Sequence, residues 1–190
     1  MNIGILVFDD VEVLDFCGPL ETFSVVNDVS DTKSNVFTIS KRKNPVQARS
    51  NLIVKSNYSI KDHPALDILI IPGGNGARKI FNDEEILKWI YIQYGRVKYL
   101  LSVCTGALIL AKLGLLLNKK ATTHHTCFHL LEEIDPTIEI VRDQRFVDED
   151  KIVTSGGISA GIDMSFFMIE KIWGEDLAKA VAKEMEYYIS

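Results

Sequence analysis

The segment from Leu100 to Ala107 carries the residues best suited to chemistry, because an apolar run ends on Cys104 and small residues follow it. A nucleophile on a sharp strand-to-helix turn requires small residues two positions before and after it, and Ser102 and Gly106 stand at those positions. The first amides of the following helix would point at the sulfur and favour the thiolate. We therefore predict that Cys104 is a nucleophile with a lowered pKa. The alternative is a buried structural cysteine that ends a core strand.

A carboxylate, Asp15, lies in the otherwise apolar stretch from Val13 to Pro19. Apolar surroundings raise the pKa of a carboxyl group, which suits it to carry a proton beside a thiolate. Alternatively, Asp15 is the N-cap of a helix that opens at Pro19. Glu21, in the first turn of that helix, is then either the buried acid or a charge that complements the helix dipole.

A glycine-rich turn, Pro72-Gly73-Gly74-Asn75-Gly76, follows another apolar run. It lacks the spacing of the nucleotide-binding glycine loops. We expect Gly73 and Gly74 to lie against the substrate, with the amides of Gly74 and Thr105 stabilising negative charge that develops on it. A tight turn that needs positive φ is an alternative that does not exclude this role.

Histidines and further cysteines offer weaker signals. His124 and His125 raise the hypothesis of a Cys–His pair, although lining a pocket or a subunit contact is the more usual role. No acidic or cysteine partner stands at a familiar metal-ligand spacing, so we expect no metal and no cofactor. Cys17 either lies near the site or packs in the core, and Cys127 is not expected to face a substrate cleft.

Short apolar runs alternate with helical stretches along the chain, which predicts an α/β fold: a doubly wound, mainly parallel sheet with helices on both faces. The predicted strands span 2–8, 35–40, 67–71, 98–103, 138–142, 145–147 and 151–154, with a hairpin or irregular excursion at 45–56. Predicted helices span 19–29, 83–94, 105–113, 126–134, 159–173 and 175–188. Ligands of such folds bind beyond the carboxyl ends of the strands, where the loops 9–19, 72–76 and 104–106 would meet.

The composition favours one globular domain that acts on a small molecule. The chain has 190 residues, of which 47% are apolar, and a net charge of −5. Its basic residues are scattered, so we expect no nucleic-acid partner. Three cysteines without paired spacing suggest reduced thiols, and neither a signal segment nor an apolar run of about 20 residues is present. We therefore expect a soluble, cytoplasmic protein without a membrane partner.

Four segments together resemble the ThiJ/PfpI superfamily, whose fold is related to class I glutamine amidotransferases: 14–21, 71–74, 102–107 and 154–164. Within it, the chain is most similar to the isonitrile hydratase branch, which pairs Asp-x-x-Gly-Pro with Cys-Thr at the turn and with Ala-Thr-Thr-His. Here those residues are Asp15, Cys104-Thr105 and 121–124.

This resemblance implies an enzyme that adds water to a small isonitrile and yields an N-substituted formamide through a thioimidate on Cys104. Asp15 would carry the proton, and the Thr105 hydroxyl would help to place the water. The expected pocket includes Cys17, His124, Ile158 and Ser159. Relatives usually pair, so the resemblance also implies a homodimer, with 154–164 and the helix after it as the packing surface.

Other branches of the superfamily fit less well. The peptidase branch has a histidine directly after the nucleophile and a glutamate in the first loop, where this chain has Thr105 and Asp15. The deglycase and glyoxalase branch also uses the glutamate. Regulators with similar segments continue into a helix-turn-helix region, for which we expect no counterpart here. An amidase or peptidase assisted by His124, and a thiol-based redox sensor or ligand-binding module, remain the alternatives.

Overall fold

A seven-stranded sheet occupies the centre of the protein in the computed structural model, which describes residues 1–189. The strands of the chain are β1 Asn2–Leu6, β2 Asn35–Ser40, β3 Val46–Gln47, β4 Ile53–Val54, β5 Tyr58–Ser59, β6 Ile68–Ile71, β7 Tyr99–Val103, β8 Lys120–Ala121, β9 Glu139–Ile140, β10 Phe146–Glu149 and β11 Ile152–Ser155. The order in the main sheet is β10-β11-β7-β6-β1-β2-β5. Within this sheet of the described residues, β10 and β11 pair antiparallel and every other neighbouring pair is parallel. The predicted α/β class with a mainly parallel sheet is confirmed.

Helices cover this sheet and supply the rest of the core. They are α1 Val13–Ser24, α2 Val26–Val29, α3 Ala77–Ile80, α4 Glu84–Tyr94, α5 Gly106–Lys112, α6 Phe128–Ile134, α7 Ala160–Trp173 and α8 Glu175–Glu184, with short 3₁₀ turns at Arg49–Asn51 and His125–Cys127. All four residues of β6 are fully buried, which explains why the central strands are apolar runs rather than alternating patterns.

Helix α1 is the element that differs most from the sequence expectation. It begins at Val13, so Pro19 lies inside the helix and Asp15 lies in its first turn rather than in a loop. Proline is favoured at the first helical position, and Glu12 makes no side-chain cap, so the true start carries no local signal. Burial of Phe16 and Phe23 on one face of α1 holds the helix against the core instead.

Other differences concern short or peripheral elements. The expected strand at 138–142 is only the two-residue β9, which pairs with β8 outside the main sheet. Helix α8 ends at Glu184, four residues before the expected end. At 45–56 the structure agrees with the first of the two predicted alternatives, since this segment is an antiparallel hairpin in which Val46 pairs with Val54. Among residues 1–189, no helix combines the length and apolar character needed to cross a bilayer.

Candidate active site

The turn between β7 and α5 places Cys104 in the left-handed region, with φ of 56°. Its amide donates to the carbonyl oxygens of Ser155 and Gly156, both at 3.1 Å. Its own carbonyl accepts a hydrogen bond of 2.8 Å from the Thr123 hydroxyl. These bonds from neighbouring segments hold a conformation that costs a non-glycine residue about 1–3 kcal/mol. Cys104 is 6% exposed, and it lines a cleft at the carboxyl edge of the sheet.

Gly106 explains why a small residue is needed after Cys104. A Cβ atom at this position would lie 2.1 Å from the carbonyl oxygen of Ile71, the last residue of β6. Helix α5 therefore starts in direct backbone contact with the neighbouring strand. The predicted sharp strand-to-helix turn is confirmed, and its steric reason is the approach of β6.

Asp15 is fully buried on the first turn of α1. Its Oδ2 atom accepts a hydrogen bond of 3.0 Å from the amide of Gly73. Burial raises the pKa of Asp15 to about 7, and the charge of Glu12 adds to this, whereas the Gly73 amide, the Cys104 thiol and the Ile158 amide act to lower it. Its Oδ1 atom is buried without a partner of normal hydrogen-bond geometry among the described residues.

The pKa of the Cys104 thiol is raised, whereas the sequence predicted a lowered pKa. Burial, followed by the charge of Asp15, raises the pKa of Cys104 to about 12, and the Thr105 amide at the start of α5 lowers it only in part. The prediction of a resting thiolate was therefore wrong, because desolvation of the sulfur outweighs the field of one short helix. At neutral pH the sulfur is protonated beside a carboxyl group that is close to half-ionised.

The glycine-rich turn after β6 holds these side chains rather than presenting free amides. The Gly73 amide donates to the Asp15 carboxyl group, and the Gly74 amide donates to the Thr105 hydroxyl, both at 3.0 Å. A Cβ at Gly73 would lie 2.5 Å from the amide nitrogen of Thr105. The expectation that the Gly74 amide stabilises charge on the substrate is thus corrected, because this N–H group already has a protein acceptor, as does the neighbouring Gly73 amide. The same role for the Thr105 amide stays a prediction. The positive φ of 110° at Gly74 agrees with the tight-turn alternative.

The cleft above Cys104 has a volume of about 190 Å³ and is lined by both apolar and charged residues. Two of its charged residues, Glu12 and Arg49, form an ion pair with an Nη1–Oε2 distance of 2.5 Å. Arg49 arrives on the β3–β4 hairpin, whose backbone is tied to Val11 by the Arg49 amide at 2.9 Å. Sequence reasoning missed both residues. Arg49 reaches the cleft only because the hairpin folds back, and Glu12 stands directly before α1, whose start the sequence did not mark.

His124 lines the same cleft, and burial together with the neighbouring His125 lowers its pKa. Its Nδ1 atom lies 2.8 Å from the Thr126 hydroxyl, and no hydrogen bond joins it to Cys104 within residues 1–189. Cys127 also lines the cleft, contrary to expectation. The 3₁₀ turn after His124, which the sequence does not mark, carries Cys127 there.

The remaining expected pocket residues have different locations. Ile158 lines the cleft, whereas Ser159 lines an adjacent depression and accepts a hydrogen bond of 3.0 Å from Arg145. Cys17 lies outside the cleft and packs half-buried against the core. Two residues correspond to about 200° around a helix, so Cys17 and Asp15 point in nearly opposite directions, which corrects the expected pocket role of Cys17. Glu21 is exposed, so Asp15 is the buried acid of the pair.

No group of three or more potential metal ligands is present within the described chain. The groups that the site brings together are a thiol, a buried carboxyl group and the Thr105 hydroxyl. These groups are suited to the transfer of a proton during attack by sulfur.

Comparison with known proteins identifies the family of the chain. The model of the DJ-1/PfpI family matches residues 1–171. The chain belongs to this family. Its sequence is 35% identical over 188 residues to the isonitrile hydratase of Pseudomonas putida, covering 98% of this chain and 78% of that protein.

Two further relatives show the range of this DJ-1/PfpI family around the chain. A ThiJ/PfpI family protein from Pseudomonas syringae superposes with a TM-score of 0.87 at 27% identity, over 98% of this chain and 74% of that one. The HTH-type transcriptional regulator GbdR of Pseudomonas aeruginosa is 25% identical over 98% of this chain and 50% of the regulator. The family thus includes both an enzyme and a regulator at this level of similarity.

Proposed function

We propose that this protein adds water to isonitriles and produces N-substituted formamides. The observation that carries the proposal is a fully buried carboxyl group, Asp15, with a pKa of about 7 beside a cysteine thiol at a strained turn. Similarity to the isonitrile hydratase of Pseudomonas putida supports the substrate class.

The first half of the reaction adds the S–H group of Cys104 across the terminal carbon of the isonitrile. The carboxylate of Asp15 takes the thiol proton, the sulfur forms a bond to the carbon, and the same proton passes to that carbon. The product is a thioimidate in which the carbon carries one hydrogen, the sulfur and a double bond to nitrogen. Since the pKa of Cys104 is about 12, this proton must leave as the C–S bond forms.

The second half adds water to the thioimidate carbon. The nitrogen takes one proton of the water, the hydroxyl oxygen joins the carbon, and the C–S bond then breaks as oxygen forms the carbonyl group. The proton released by the hydroxyl returns to sulfur through Asp15. The Thr105 hydroxyl, which accepts the Gly74 amide and donates to the Gly74 carbonyl at 3.3 Å, is held at the cleft where it can orient the water.

Peptide or amide hydrolysis requires a group that protonates a leaving amine. His124 is the histidine of this cleft, and its Nδ1 atom is engaged with Thr126. Isonitrile hydration has no amine leaving group, so it needs only the thiol and the carboxyl group.

We further propose a homodimer that works in the cytoplasm, as the resemblance implies.

The test is direct conversion of cyclohexyl isocyanide. We expect the purified protein to produce the formyl proton signal of N-cyclohexylformamide by NMR, and Cys104→Ala to lose it. Cys17→Ala is the matched control, because Cys17 lies outside the cleft. Turnover by the wild-type protein no faster than by Cys104→Ala would refute the proposal.

A further inference from the structure

An apolar groove lies next to the reactive cleft, between α3, α5 and α6. Its volume is about 510 Å³, compared with about 190 Å³ for the cleft itself. Its apolar lining consists of Phe81, Leu108, Leu130 and Ile134, and Arg78, Asn82 and Glu133 complete it. Three of them, Phe81, Leu130 and Ile134, are only partly buried, so apolar surface is left uncovered in a concave site.

The groove and the cleft share a wall. Arg78, Leu108 and Leu130 line both cavities, so the two are direct neighbours. Arg78 is exposed and makes no ion pair within residues 1–189. Its side chain can therefore turn toward solvent without breaking a salt bridge.

The two cavities differ in polarity, and so do the two ends of an isonitrile molecule. The cleft holds the Cys104 thiol, the Glu12–Arg49 ion pair and Asn75, which suit the polar isocyano group. The groove is lined mainly by hydrocarbon, which suits the group attached to the isonitrile nitrogen. A substituent longer than a few carbons would exceed the small cleft and would have to leave it over the shared wall.

We propose that the groove is the binding site for an extended apolar substituent of the substrate, which crosses Leu108 and Leu130 and lies against Phe81 and Ile134. This inference rests on the proposed isonitrile chemistry at Cys104. It assigns the substrate class as isonitriles with a flexible hydrocarbon chain. Leu130 and Ile134, both on α6, become the residues that determine chain-length preference.

The first test is a series of straight-chain alkyl isonitriles from propyl to octyl. Burial of one methylene in an apolar site corresponds to about a fourfold gain, so kcat/KM of the wild-type protein should rise about two- to fourfold per added carbon until the groove is full. In Ile134→Trp the indole fills the groove, and the octyl-to-propyl ratio should fall toward one. Ile92→Trp, on α4 and 40% exposed, is the matched control and should keep the wild-type ratio. Equal kcat/KM values along the series in the wild-type protein would overturn the inference.

A second variant and a second readout separate this inference from the proposed function. Phe81→Gln replaces apolar wall by an amide and should also reduce the octyl-to-propyl ratio, which is internal to each variant and does not depend on the amount of folded protein. Alkylation of Cys104 by N-alkyl iodoacetamides of increasing chain length, followed by mass spectrometry, needs no isonitrile turnover. Faster labelling by longer chains, lost in Ile134→Trp, would support the groove even if no isonitrile is hydrated. Labelling rates independent of chain length would contradict it.

Discussion

At the scale of single residues, the candidate site places a buried carboxyl group, Asp15, beside a buried thiol, Cys104. Water is excluded from both, so both charged forms are disfavoured, and the pKa values of Asp15 and Cys104 rise to about 7 and about 12. The carboxyl group is the one that titrates near neutral pH. It can therefore accept and return a proton at little free-energy cost, which is what addition of S–H to carbon requires.

This assignment predicts a pH profile. We expect kcat/KM for an isonitrile to rise with pH and to level off with a midpoint near 7, since the ionised carboxylate of Asp15 must take the thiol proton. Asp15→Asn should lose about 10²- to 10⁴-fold in kcat/KM and the rise itself. Steady-state rates between pH 5 and 9 measure both. A profile that falls through pH 7 would show that the protonated acid is the active form instead.

Asp15 should also lower the stability of the folded protein at high pH. Its folded-state pKa of about 7 exceeds the ordinary value of 3.8, so between these values the folded chain holds a proton that the unfolded chain has lost. The free energy of unfolding therefore falls as pH rises through this window, by roughly 4 kcal/mol for a shift of this size. Asp15→Asn should stabilise the protein more at pH 8 than at pH 4 in urea denaturation. Asp31→Asn, at an exposed aspartate, is the matched control.

At the scale of elements, close packing of β6, β7 and α5 forces the conformation of Cys104. The chain leaves β7 with no room for a side chain at Gly106, and the backbone bonds from Cys104 to Ser155 and Gly156 tie the turn to the loop after β11. The turn after β6 fastens Asp15 and Thr105 through the amides of Gly73 and Gly74. Three loops at one sheet edge thus stabilise one another.

A methyl group at Gly106 should disturb this packing. In Gly106→Ala the new Cβ would approach the Ile71 carbonyl oxygen to 2.1 Å, so the backbone must shift at a cost of about 1–3 kcal/mol in the free energy of unfolding. Gly95→Ala is the control, because a Cβ there meets its nearest neighbour at 3.4 Å and φ is −65°. It should be neutral or stabilising by about 0.4–1 kcal/mol. Denaturation midpoints of the two variants distinguish these outcomes, and equal losses would contradict the steric argument.

At the scale of the whole molecule, strand order decides which loops meet. Strands β11, β7, β6 and β1 are consecutive neighbours in the sheet and run parallel, so the segments that follow them meet at one edge around Cys104. Helix α7, which follows β11, packs against both α1 and α8 of the same chain. These contacts bury part of α7 within the chain, and the dimer surface expected at 154–164 and the helix after it stays a prediction.

The central sheet should also dominate stability. Ile70 of β6 is fully buried between β1 and β7, so Ile70→Ala should lower the free energy of unfolding by about 2–5 kcal/mol. The same change at Ile92, which is 40% exposed, should cost less than about 1 kcal/mol. Urea denaturation followed by circular dichroism measures both. Similar losses at the two positions would show that the sheet core does not limit unfolding.

The sequence by itself determined the features that depend on neighbours along the chain. Apolar runs mark β1, β2, β6 and β7, and small residues around Cys104 mark the sharp turn, because strand burial and turn sterics leave a local pattern. The polar residue in an apolar stretch likewise marked Asp15 as a buried acid. Motifs in four segments were sufficient to indicate the family.

Only the tertiary structure decided how these groups act on one another. The pKa of Cys104, the use of the Gly73 and Gly74 amides, and the arrival of Arg49 at the cleft depend on segments that are distant in sequence. Burial and the distance between charges set these properties, and neither is encoded by spacing along the chain. A short helix after the cysteine suggested a thiolate, but the desolvation of sulfur by the folded core is the larger effect.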